Sequence, residues 1–282
     1  MEPLRYKLIV QYDGTHFAGF QIQPHDRTVQ GEIQRALKIM TKGKEVIIHG
    51  SGRTDSGVHA KGQVIHFDYP FEIPVKNMQR ALNSLTTDEI FVQEVSLVDD
   101  DFHARYNTSG KKYQYRVDLN AIPDPFKRLY TLHHPYPIDM KKLKDALKDL
   151  EGEHDFSSFC ASNSGREDKV RTVYEASVYE DTFNNELVFT FRGNGFLYNM
   201  VRIFVGTLLQ IANGLRPADE IQRLLEVKDR NQAGPTAKPQ GLYLMEVYYD
   251  SSKAKKGTDY QEDNRLGEQV QHELDHSVKQ TK

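Results

Sequence analysis

The chain contains no tryptophan and a single cysteine, Cys160. An internal disulfide and a thiolate zinc cluster are therefore excluded, and the lone thiol fits a reducing cytoplasm. Apolar continuity is also scarce. Mean hydropathy is −0.65, and no run approaches the roughly 20 apolar residues that a membrane-spanning helix needs. The opening MEPLRYKLIVQYDG is interrupted at once by polar and charged residues, unlike the charged, apolar, then small order of a secretory leader. There is no G-x-x-x-x-G-K-[ST] loop and no G-x-S-x-G elbow. Gly50-Ser51-Gly52 begins like a dinucleotide fingerprint, but the third glycine would fall at Asp55. One cysteine cannot supply the P-C-x-x-C arm of zinc base deaminases, and outside the polar tail, where HELDH (272–276) occurs, the histidines show no H-E-x-x-H spacing. These gaps favour a mechanism without metal.

What is present suffices for a packed core. The chain has 282 residues, 38% of them hydrophobic and 10% aromatic, enough for one large or two modest domains. The net charge of −3 (37 − 40) gives no global support to nucleic-acid binding. Its distribution is uneven: residues 1–66 carry nine basic and six acidic side chains, and residues 67–104 carry two and eight. A locally basic face on an acidic protein still attracts phosphates, because the nearby field governs.

Residues 4–12, LRYKLIVQY, read as a strand. Thr28 can cap a helix with Val29, Ile33, Leu37 and Met40 on one face. A short strand near 45–49 and a glycine-punctuated loop at 50–57 precede a strand near 62–68. Pro74 suits the first turn of a helix bearing Val75, Met78, Leu82 and Leu85, and a strand at 90–97 closes the unit. The order β-α-β-β-α-β is the split βαβ arrangement of ferredoxin-like folds. The second half repeats it: a strand at 111–119, a helix capped by Asp139, strands at 170–180 and 186–193, a helix at 199–213, a short helix opened by Pro217, and a strand at 241–249. The expectation is an α+β fold of two such halves, 1–105 and 106–250. Their sheets join into one extended, mainly antiparallel platform, with helices on one face and a cleft between halves. The polar segment 251–282, with six positive and six negative charges, reads as a disordered tail.

The densest polar constellation is GSGRTDSGVHAKGQVIHFD at 50–68, where four glycines allow close backbone approach around Arg53, Thr54, Asp55, Ser56 and His59. Taken alone, Asp-Ser-Gly is equally well an ordinary turn. The helix at 199–213 changes that balance. It is apolar nearly all round, hence buried, yet carries Arg202 in its first turns. A buried guanidinium needs a carboxylate or phosphate, and an Asp on the polar loop of the other half is a candidate across the cleft. Such pairing would keep the Asp ionised at neutral pH, suited to nucleophilic or base chemistry. Tyr113 follows Lys111 and Lys112 on a strand: commonly such a residue is a half-buried sheet aromatic, but it also suits a base-stacking platform flanked by cations. RGNGFLY at 192–198 matches an RNA-binding signature only weakly. His59, His66 and His103 lack metal spacing and suit backbone-bonding roles. Asp13 with Asp55 is the pair available to a glycosidic-bond hydrolase.

Taken together, GRTDSGVHAKGQVIHFD (52–68), YDGTHFAGFQIQP (12–24), DFHARYNTSGKKYQYRV (101–117), HDFSSF (154–159), NGFLYNMVRIFVGTLL (194–209) and GLYLMEVYY (241–249) closely resemble the signature segments of the tRNA pseudouridine synthase A family. Phe20 stands where a Trp is common, and NSLTTDEI (83–90) replaces a more usual Leu-Pro turn. The resemblance implies a cytoplasmic homodimer that isomerises uridine to pseudouridine in the anticodon stem-loop of tRNA, at family positions 38–40. It implies no metal, nucleotide or organic cofactor. It also implies that Asp55 is the catalytic aspartate, Arg202 its basic partner, Tyr113 the aromatic against the target uracil, and Arg53 an arginine that displaces the target base.

Overall fold

The computed structural model describes residues 3–162, 165 and 167–256. In β1 (Leu4–Tyr12), Tyr6, Leu8, Val10 and Tyr12 are buried and the residues between them half-exposed, the period-2 pattern of a strand with one covered face. Helix α1 (Val29–Met40) starts where Thr28 accepts a hydrogen bond from the Gly31 amide at 3.2 Å, and it buries Val29, Ile33 and Leu37. Then come β2 (His49–Gly50), β3 (His59–Tyr69), α2 (Val75–Leu85) and β4 (Ile90–Leu97). Strand order is β4-β1-β3, with β2 paired to β3. The strand expected at 45–49 is reduced to the two residues of β2. Val46 and Ile48 are buried with Glu45 and Ile47 exposed, so their alternation is satisfied by packing without a ladder.

The second half comprises β5 (Gly110–Asp118), β6 (Leu132–His133), α3 (Met140–Lys148), β7 (Gly152–Asp155), β8 (Val170–Asp181), β9 (Glu186–Gly193), α4 (Met200–Ala212), α5 (Glu220–Val227), β10 (Leu242–Tyr248) and α6 (Ser251–Lys256). Asp139 caps α3 by accepting from the amides of Lys141 and Lys142, both at 3.1 Å. Pro217 lies three residues before α5 and does not open it. The order β10-β5-β9-β8 repeats that of the first half, and β7 extends the edge. Among the described residues, all ten strands belong to one sheet, antiparallel except at β5–β6 and at the seam, where β3 and β10 run parallel.

The seam is short: Tyr243 opposes His59 and Leu244 opposes Ala60. It places the loop that feeds β3 beside β10 and β5, and Leu244 in turn opposes Tyr113. Helix α4 lies against the Phe191 face of the sheet, the Phe191 and Phe204 rings being 5.5 Å apart. Gly206 allows the segment after α5 to pass close by, since a Cβ there would sit 1.9 Å from the Pro235 carbonyl oxygen. Helix α6 begins inside the segment expected to be a disordered tail. Ala254 is fully buried and its carbonyl accepts from Arg192, whose position in β9 alternates with Phe191, so α6 covers the reverse face. The remainder of that tail, 257–282, lies outside the described residues.

Gly206→Ala is expected to cost about 1–3 kcal/mol by overpacking, seen as a fall of several degrees in Tm on thermal denaturation; an unchanged Tm would contradict the close approach.

Candidate active site

Four local devices shape the loop at 51–58. The Thr54 hydroxyl meets that of buried Tyr12 at 2.7 Å, and the Gln63 amide donates to the Gly52 carbonyl at 2.9 Å while its oxygen accepts from Ser51 Oγ at 2.8 Å. The Phe20 amide donates to the Thr54 carbonyl at 3.1 Å. Gly19, at φ +100°, lets that segment pass, since a Cβ there would fall 2.7 Å from the same carbonyl. Lys111 Nζ donates to the Ser51 carbonyl at 2.7 Å. The residues leading up to Asp55 are thus anchored to β1, β3 and β5, so the carboxylate is presented by a braced loop.

Arg202, in the first turn of α4, reaches it. Arg202 Nη1 donates to Asp55 Oδ2 at 3.1 Å and to Asn199 Oδ1 at 2.9 Å, and Nε donates to the Ala237 carbonyl at 2.7 Å. The Ala237 amide donates back to the Arg202 carbonyl at 3.0 Å. The guanidinium therefore has a fixed orientation, set by two neutral acceptors as well as by the carboxylate. Asn199 holds a left-handed conformation at φ +61°, a state that Asn tolerates better than most residues.

Charge at this pair is a contest between burial and pairing. Burial pushes the Asp55 carboxyl above its ordinary range, and Arg202 opposes that shift without cancelling it. Of the two opposing influences on this carboxyl, desolvation is the larger. Tyr113 is 8% exposed, packs edge-on against Phe196 with centroids 5.2 Å apart, and has its phenol pushed well up by burial, with Tyr12 and Asp55 adding to the effect. It is a neutral aromatic wall.

Asp55, Arg53, Tyr113, Lys111 and Asn199 line one open cavity of about 990 Å³. That is at the upper end of small-ligand sites, so it has room for more than one nucleotide. Arg53 is exposed, and among the described residues it has no hydrogen-bond or ion-pair partner. Of the two cations flanking Tyr113, Lys111 lies in the cavity bracing the loop, and Lys112 points to the other side of the sheet. The candidate carboxylate pair Asp13 and Asp55 is not brought together in one cavity. Asp13 lines a separate cavity of about 490 Å³, where it bonds Tyr130 Oη at 2.7 Å and the Thr15 amide at 2.9 Å. His59, His66 and His103 accept backbone amides from Gly14, Ala104 and Arg105 through Nδ1, all at 3.1 Å, as their lack of metal spacing implied. Sequence reasoning missed Asn199 and the Ala237 carbonyl. Asn199 left only its position as a signal, an Asn one turn before the Arg of an apolar helix.

A family model described as tRNA pseudouridine synthase matches residues 8–107 and 146–250. Curated relatives named tRNA pseudouridine synthase A include those of Latilactobacillus sakei (59% identical over 245 residues, 87% of this chain and 98% of the relative) and Ligilactobacillus salivarius (56% over 252 residues, 89% and 98%). That of Streptococcus gordonii is 52% identical over 246 residues, 87% and 99%. Among solved structures, a chain of a Cbf5-Nop10-Gar1 complex is similar at TM-score 0.30 and 13% identity over 72% of this chain and 54% of that one, too distant to bear on fold or activity.

Removing the guanidinium leaves burial unopposed. In a carboxyl-selective NMR titration, Asp55 is expected above the ordinary aspartate range and higher still in Arg202→Met; a lower value in that variant would refute the balance described.

Proposed function

Since the chain belongs to the tRNA pseudouridine synthase family, we propose that it isomerises uridine to pseudouridine in the anticodon arm of tRNA, with Asp55 as the reacting acid. The observation that carries this is the convergence on one cavity of the Tyr113 ring and the Asp55 carboxylate, the latter bonded to Arg202. In the reaction the C1′–N1 bond breaks, the free uracil turns, a C1′–C5 bond forms, the C5 proton leaves and N1 gains a proton. Apart from the exchanged C5 proton nothing leaves the nucleotide, so a walled pocket that retains the loose base is what the chemistry requires.

A single ionised carboxylate beside the nucleoside serves by attacking C6, by attacking C1′, or by removing the 2′ hydrogen. Arg202 steadies the charge and orientation of that carboxylate through the three contacts described. A stem base leaves its stack at a cost of a few kcal/mol. Stacking on Tyr113, on the order of 1–3 kcal/mol, offsets part of this. Arg53, exposed at the cavity with its guanidinium uncommitted, is suited to occupy the space that the base vacates. Action on the anticodon arm, cytoplasmic location and homodimeric assembly complete the reading, and rest on the family resemblance.

A hydrolase of the glycosidic bond is disfavoured by the separation of Asp13 from Asp55 into different cavities. A passive RNA-binding module would gain nothing from a partly desolvated carboxylate held against a partly buried arginine.

Tritium release from tRNA carrying [5-³H]uridine tests the assignment. Wild type is expected to release label, Asp55→Asn to bind tRNA yet lose release by at least a thousandfold (roughly 4 kcal/mol in the barrier), and Arg202→Met to fold but be crippled. Free uracil and abasic RNA as products would overturn it. Binding should weaken as salt rises, log K falling linearly with log salt concentration; a flat response would exclude the basic cavity wall as the contact surface.

A further inference from the structure

Arg105 and Tyr106 line the same cavity as Asp55, together with His49 and His103, and the chemistry above uses none of the four. Tyr106 is 77% exposed, a large aromatic ring turned to solvent. It does not sit on a loose loop. The amides of Arg105 and Tyr106 donate to His103 Nδ1 at 3.1 and 3.3 Å, and the His103 amide donates to Asn107 Oδ1. Thr108 Oγ1 and Tyr249 Oη both donate to the Ala104 carbonyl, at 2.8 and 2.7 Å.

Behind Tyr106 the rings form a compact cluster. Tyr106 and His103 are 4.1 Å apart and tilted by 31°, His66 meets His103 edge-on at 4.6 Å, and His49 lies 5.0 Å from His66 and 5.4 Å from His103. His66, 2% exposed, is pushed down to about 4 by burial and its imidazole neighbours, and His103 is also lowered, so these two rings are uncharged near neutrality. Such a surface offers a π face rather than a phosphate site. The cations Arg105, Lys111 and Arg53 line the same cavity. An exposed, neutral, backed aromatic among cations is the composition of a single-strand stacking platform.

We propose that Tyr106, backed by His103 and His66, is a second nucleobase-stacking platform at the mouth of the cavity, taking an unpaired base of the tRNA near the target uridine. The proposal rests on the tRNA-modifying function proposed above. The cavity volume supports it, since about 990 Å³ leaves room beyond the reacting nucleoside. So does rigidity: the platform is pinned before substrate arrives, and little ordering is required on binding.

The test uses the full chain and an unmodified tRNA transcript. Tyr106→Ala is expected to raise KM and Kd about five- to a hundredfold, the equivalent of one lost base stack, with kcat at saturating tRNA close to wild type. Tyr106→Phe should behave as wild type. Because the chain has no tryptophan, Tyr106→Trp in an Asp55→Asn background supplies a single indole, expected to be quenched when tRNA binds. Unchanged KM in Tyr106→Ala, a fall in kcat without a change in KM, unquenched indole at saturating tRNA, or a change in sedimentation showing that Tyr106 joins two copies would each overturn the platform. Wild-type protein that releases no tritium would instead overturn the function on which it rests.

Discussion

A carboxylate taken partly out of water and held against a guanidinium is the constraint around which the molecule is organised. Burial makes the charge of Asp55 costly, and Arg202 lowers that cost without removing it. Were the guanidinium free to turn, the compensation would vary with every side-chain motion. The Asn199 amide oxygen and the Ala237 carbonyl prevent that by taking two further donors. The geometry of α4, of the residue before it and of the 233–238 segment therefore all converge on one oxygen of one aspartate.

The duplicated fold supplies what a single unit could not. The Asp55 loop enters β3 in one half, while Tyr113 and Arg202 belong to the other, and the parallel contact of β3 with β10 brings them together. Loops are ordinarily mobile. This one is braced by Tyr12, Gln63 and Phe20 from its own half and by Lys111 from across the seam. Rigidity at a loop tip allows a site built on side chains from both halves to keep its shape while a flexible RNA enters.

Much of the fold was legible because its determinants are local. Thr28 and Asp139 announced their helices through hydroxyl and carboxylate caps, and the alternation of Tyr113, Tyr115 and Val117 announced a strand. Legibility failed where packing substituted for pairing. Val46 and Ile48 alternate like strand residues yet are buried without a ladder, and Ala254 is buried in a segment whose composition is that of a solvated tail. The site was readable in outline from two local anomalies, an arginine in an all-round apolar helix and an aspartate among glycines. Asn199 and the backbone carbonyl of Ala237 carried no comparable anomaly, since an amide and a peptide group look the same in sequence wherever they point.

By itself the sequence determined the elements, their order and the residue types on hand for chemistry, because caps, periodicity and turn residues act over about one helical turn or one strand repeat. Tertiary structure alone decided that Asp55 and Arg202, 147 residues apart, would touch, that Asp13 would not share their cavity, and that desolvation would outweigh pairing at the carboxyl. Solvent exclusion depends on everything that surrounds a group in space, and no local pattern encodes it.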